Sequence, residues 1–92
     1  MPRNKKQRRI VFKPEVVYFK PQGIPLRELE EVVLMPDELE ALRLHEVENK
    51  DQIKVAEMMN ISQPTVARII SGANKKIAEA LIKGKAIRIQ KR

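Results

Sequence analysis

The chain has no cysteine and no tryptophan, and its three aromatics, Phe12, Tyr18 and Phe19, all fall in the first quarter. Without cysteine, disulfides and thiolate metal sites are excluded, and a reducing compartment suits the chain. With so few rings, the core must be aliphatic, and stacking platforms for single-stranded nucleic acid are missing. No apolar run approaches the roughly 20 residues of a membrane helix. The basic N-terminus is not followed by the apolar core of a secretory leader, so no membrane partner is expected. His45 is the only histidine, and no second histidine or cysteine can complete a metal site with it. The carboxylates of Glu28–Glu31 have no nucleophile, metal partner or phosphate-cradling glycine loop beside them. No enzymatic activity, cofactor or metal is therefore expected. Ninety-two residues make one domain with a modest core and little room for a deep cleft.

What the chain has in excess is positive charge, unevenly placed. The net charge is +7; residues 1–20 carry +6, residues 21–51 carry −6, and residues 52–92 carry +7. A polyanionic partner explains two basic blocks around an acidic middle better than solubility does. The plainer reading is a lysine-rich solvated surface of the heat-adapted kind.

Residues 1–9 are polar and basic without periodicity and read as a flexible or extended arm. From Ile10 to Phe19 the residues are β-branched and aromatic, but Pro14 interrupts them, which predicts an edge strand or a bent pair of short strands. Pro21, Gly23 and Pro25 mark an irregular turn. Leu26–Leu34 fits a helical face and a strand alike, with the strand favoured near Glu31–Leu34. Pro36, Asp37 and Glu38 open a helix that runs to about Val47, with Leu39, Ala41, Leu42 and Val47 on its apolar side. Asp51 caps a helix over Gln52–Met59, with Ile53, Ala56 and Met59 on one face. Ser62 caps a long helix whose stripe is Val66, Ile69, Ile70, Ala73, Ile77, Ala80 and Leu81, ended by Gly84. Lys85–Ile89 alternates like a strand and is expected to pair with Ile10–Phe19, within one chain or across a dimer.

The segment QIKVAEMMNISQPTVARIIS, residues 52–71, has the spacing of a helix-turn-helix. Ala56 is the small residue over which a second helix can cross closely. Asn60 tolerates an open turn conformation, Ile61 pins the turn, and Val66 and Ile69 face inward. The outer face then holds Ser62, Gln63, Pro64, Ala67, Arg68 and Ser71. Gln63 can read adenine, and Arg68 can read guanine or hold phosphate. Thr65 and Ser62 can reach phosphate or cap the helix. Gln52, at the start of the first helix, can anchor phosphate. Lys75 and Lys76, with Lys83, can track the backbone, as can the arm residues Arg3, Lys5, Lys6, Arg8 and Arg9. The rival for each lysine is a solvated helix face. The rival for the whole segment is an ordinary αα-hairpin used for packing. The acidic helix Asp37–Glu48 reads as a solvated outer face, or as a surface for a basic partner.

The stretches MPRNKKQRR, YFKPQGIPLRELEEVVL, DELEALRL, ISQPTVARI and LIKGKAIRI resemble an uncharacterised prokaryotic family of small DNA-binding proteins, domain of unknown function 134 or uncharacterised protein family 0251. The resemblance covers almost the whole chain. It implies a helix-turn-helix similar to the fourth region of bacterial sigma factors, and a DNA role for Ser62–Ser71. The chain departs from the family at Gln7 and Val11, where relatives carry cysteines, at Pro64, where a polar residue is usual, and at Asn74, where arginine is frequent.

The expected fold is mainly α with a small β element, of winged-helix-like bundle size: a basic arm (1–9) and a single helix-turn-helix domain (10–92) ending in a strand. The expected function is sequence-dependent binding of double-stranded DNA with the recognition helix in the major groove. This implies a transcriptional regulator, cytoplasmic and nucleoid-associated, acting as a homodimer. The alternative is a protein-interaction module that docks on the transcription machinery through its acidic helix.

Overall fold

A computed structural model describes residues 8–92. The elements are β1 (Tyr18–Phe19), β2 (Glu31–Leu34), α1 (Pro36–Leu42), α2 (Gln52–Met59), α3 (Gln63–Lys83) and β3 (Ala86–Ile89). Three helices carry most of the regular structure, beside a three-stranded sheet in the order β1-β3-β2. The expected mainly-α chain with a small β element is what forms.

Each helix begins and ends where local chemistry dictates. Pro36 opens α1, where its missing N–H costs nothing, and the Glu38 carboxylate reaches back to the Met35 N–H at 2.8 Å. After Leu42 the coil widens into a π-helical turn over Arg43–Val47, in which the Glu48 N–H donates to the Arg43 carbonyl at 2.9 Å. The His45 Nδ1–H donates to the Lys50 carbonyl at 2.8 Å and ties that turn to the next loop. Asp51 caps α2 by accepting the Lys54 N–H at 2.8 Å. Asn60 ends α2 in the left-handed conformation at φ 61°. The Ile61 N–H then reaches the Ala56 carbonyl and the Asn60 N–H the Glu57 carbonyl, the paired bonds of a Schellman stop. Ser62 caps α3, and Gly84, at φ 67°, ends it.

The sheet departs from expectation in two ways. Only Tyr18–Phe19 of the Ile10–Phe19 segment is strand, pairing antiparallel with β3 (Tyr18 opposite Arg88, Phe19 opposite Ile87) within the one chain. Upstream, the Val11 and Phe12 N–H groups are taken by a carboxylate of α1 instead of a ladder. The second departure is that β3 is the central strand. It runs parallel to β2 with Glu31 opposite Ala86 and Leu34 opposite Ile89, a pairing that encloses all three helices between its partners.

Two apolar clusters meet on α3. Ala41, Leu44, Val55, Ala56, Met59, Val66 and Ile70 form one. Leu34, Ala73 and Ile89 form the other, with Leu39, Leu42 and Ile77 against them. Three expected core positions are wrong. Ile53 is 58% exposed and Val47 is exposed, because α2 and the π turn bury Val55 and Leu44 instead. Leu81 is 74% exposed. An eight-residue α2 is about 12 Å long and α3 about 31 Å, so the short helices cannot cover the far end of the long one.

Candidate nucleic-acid interface

The first half of α3 is built to present side chains outward. Val66, Ile70 and Ala73 are buried, so the opposite side, Pro64, Ala67, Arg68, Ser71 and Lys75, faces solvent together with Ser62 and Gln63 at the helix start. Pro64 sits in the first turn, where its absent N–H would have had no helical partner. The Ser62 hydroxyl accepts the Thr65 N–H at 3.3 Å and pairs with the Thr65 hydroxyl at 2.7 Å. Arg68 donates to the Thr65 hydroxyl at 3.4 Å. Ser62, Thr65 and Arg68 therefore form a line of polar contacts along the first two turns, which steers the Arg68 guanidinium along the helix face. A shallow groove beside them runs between α2 and the start of α3, lined by Ile53, Ala56, Glu57, Asn60, Ile61, Ser62 and Gln63.

The other expected residues fall into three groups. Gln52 is the half-buried first residue of α2. Arg8 and Arg9 come to the same side of the molecule: the Arg9 N–H donates to the Met59 carbonyl at 2.9 Å, and Arg8 pairs with Asp37 at 2.8 Å. Arg8 lines one depression together with Thr65 and Arg68. Lys75 is exposed, but Lys76 is not a free cation: its ammonium donates to the Val33 carbonyl at 2.7 Å and to Glu38 at 2.8 Å, clasping α3 to β2 and α1. Arg3, Lys5 and Lys6 lie outside the described residues.

The acidic middle of the chain is solvated only in part: Glu28, Glu30, Glu46, Glu48 and Asp51 are exposed, while others turn onto bases of the same chain. Asp37 is held by Arg8, Glu38 by Lys76, and Glu31 by Arg88 at 3.2 Å. Glu40 is 2% exposed. It accepts the Val11 N–H at 3.2 Å, the Phe12 N–H at 3.1 Å and an Arg43 guanidinium N–H at 2.9 Å. Burial pushes its pKa up, but the Arg43 bond and the Phe12 and Val11 amides together outweigh that and hold it below the ordinary carboxylate value. Between Gln63 and Ala78 helix α3 carries no acid. Its first, Glu79, is bonded by Lys85 at 2.6 Å, which keeps Glu79 low. Lys13, Lys91 and Arg92 are not among the residues expected from sequence, yet they line a depression next to the one that holds Arg8. The signal was the terminal Lys-Arg pair inside the strongly basic block 52–92.

The family described as protein of unknown function DUF134 matches residues 1–91. The chain belongs to this family. A UPF0251 protein of Caldanaerobacter subterraneus is 53% identical over 90 residues, covering 98% of this chain and 76% of the relative. One from Moorella thermoacetica is 52% identical over the same share of this chain and 60% of its own length. One from Dehalococcoides mccartyi is 51% identical, with 77% of its length covered. The chain thus spans between 60% and 77% of the length of these three family members. No solved structure matches it. No helix among the described residues is long and apolar enough to cross a membrane.

Proposed function

We propose that this chain binds double-stranded DNA with sequence preference and serves as a transcriptional regulator. In this reading α2, the Asn60–Ser62 turn and α3 act as a helix-turn-helix of the kind found in the fourth region of sigma factors. The first half of α3 enters the major groove, Gln63 and Arg68 read base edges, and Ser62, Thr65, Ser71, Gln52 and Lys75 position the backbone. The observation that carries the reading is the outer face of α3 from Ser62 to Lys75. It is solvent-facing and acid-free, and it lies beside Arg8 at the end of the basic arm. A homodimer would bring two such helices to half-sites about 34–36 Å apart.

The rival, docking on a basic protein through the acidic helix, draws little support from that helix. Its Asp37, Glu38, Glu40 and Glu48 are engaged by Arg8, Lys76 and Arg43, which leaves Glu46 as its exposed acid without an ion pair among the described residues.

Selection of bound sequences from a random duplex pool tests the proposal, and a dimer would return a two-fold symmetric site. On that site Gln63→Ala should relax preference at one base position and cost about 1–3 kcal/mol. Arg68→Ala should cost a similar amount if it reads guanine, or weaken all sequences evenly if it holds phosphate. Circular dichroism should show both variants folded. If both bind every duplex as the parent does, α3 does not enter the groove.

A further inference from the structure

The depressions on one side of the molecule share their lining residues and form a continuous track. The first is lined by Thr65, Arg68 and Arg8. Arg8 also lines the second, with Ile10, Pro36 and Arg92. Arg92 in turn lines the third, with Lys91, Lys13, Phe12 and Pro14. Five cations therefore follow one another from the outer face of α3 to the C-terminal tail. The acids along the way are already matched: Asp37 by Arg8, Glu38 by Lys76 and Glu40 by Arg43. Among the described residues neither Lys13 nor Lys91 has an ion-pair partner. Beyond Lys13 the next depression contains Glu15, which ends the run of cations.

Arg92 is the informative member. Its guanidinium donates to the Ile10 carbonyl, a neutral acceptor, so the side chain is anchored without pairing with any side-chain carboxylate among the described residues. The tail that carries it is itself fixed, since the Gln90 N–H donates to the Leu34 carbonyl at 2.9 Å and extends the β3 pairing beyond Ile89. An arginine held in place by a backbone oxygen loses little further freedom when it meets an anion.

We propose that Lys13, Lys91 and Arg92 form a phosphate track that holds the DNA backbone flanking the sequence read by α3. The inference rests on the DNA-binding reading above and extends it to a surface with no part in base recognition. A repeating polyanion fits such a track because regularly spaced phosphates can meet each cation in turn, and each contact releases counterions.

The test compares the full chain with the double variant Lys13→Gln, Lys91→Gln on two duplexes: the selected site alone, and the same site with about one helical turn added on each side. The parent should bind the longer duplex more tightly. The variant, which keeps Arg92, should lose most of that gain, and its log–log salt slope on the longer duplex should be shallower by about 1.8, at 0.9 per phosphate contact. Its base preference should equal the parent's. Equal gains from flanking DNA in parent and variant would overturn the track while leaving the role of α3 intact. A parent that binds neither duplex would overturn both. Arg92→Lys keeps the charge but loses the planar fork, and it should fall between parent and double variant on the longer duplex.

Discussion

Glu40 is a buried carboxylate in a chain of net charge +7, and it joins three parts of the molecule. It fastens the Val11–Phe12 backbone to α1 and neutralises Arg43, whose guanidinium carbon lies 5.6 Å from the Phe12 ring centroid. Removing one partner of a buried pair strands the other. Glu40→Ala should therefore cost about 3 kcal/mol, the lower end of that range because Arg43 keeps Glu48. Glu40→Gln keeps the volume and one acceptor and should cost about 1–2 kcal/mol in neutral solution. The pH dependence has a definite sign. A carboxylate held below its unfolded value of about 4.3 contributes stability that is present above that pH and lost as pH falls through the folded value. The gap between parent and Glu40→Gln in urea melts should therefore narrow from pH 7 to pH 3. The capping residues Asp51, Asn60, Ser62 and Gly84 were legible in the sequence because each acts on backbone within a few positions. Glu40 was harder, since its partners at Val11 and Phe12 are distant in the chain. A clue existed: it stands four residues before Leu44 and next to Ala41, on the buried side of its helix.

At the scale of elements, the crossing of α2 over α3 sets how the outer face of α3 is presented. Ala56 is buried there, and its carbonyl takes the Ile61 N–H that closes the turn. Ala56→Leu forces a larger side chain into the crossing, beside a groove too shallow to bury it, and should destabilise the fold by about 1–3 kcal/mol. Leu81→Ser and Ile82→Ser remove larger apolar groups from the other end of α3, where they are 74% and 84% exposed, and should stay within about 0.5 kcal/mol. Thermal melts of the three variants test this contrast, which reverses the ranking that side-chain size would give. The helix boundaries were readable because three- and four-residue spacing and caps are local. The extent of burial along α3 was not, because it depends on how far the shorter helices reach. The parallel pairing of β2 with β3 was equally hidden: no local pattern shows which strand an edge will find across three helices.

The molecule as a whole separates its charges by folding. Much of the acidic middle block turns onto bases of the same chain, through Arg8, Arg43, Lys76 and Arg88, while Glu28, Glu46 and Asp51 stay exposed. That leaves Arg68, Lys75, Lys13, Lys91 and Arg92 exposed around the outer face of α3 and its flank. The uneven charge was plain in the sequence, but its consequence was not, since whether acids face solvent or bases depends on the tertiary arrangement. Binding to duplex DNA should accordingly weaken steeply with salt. One phosphate for each of these five cations gives a log–log slope of about −4 to −5 before the arm is counted. The arm adds a separable share. Because Arg8 and Arg9 are docked on α1 and α2, a truncation should spare them and remove residues 1–7 only. That deletes Arg3, Lys5 and Lys6 while leaving every contact among the described residues in place. Three lost phosphate contacts would make the slope shallower by about 2.7, equally on all sequences, with the selected site still preferred by the same ratio. A truncated chain with the parent's slope would remove the arm from the interface. A truncated chain with an altered base preference would place Arg3, Lys5 or Lys6 at base edges instead of the backbone.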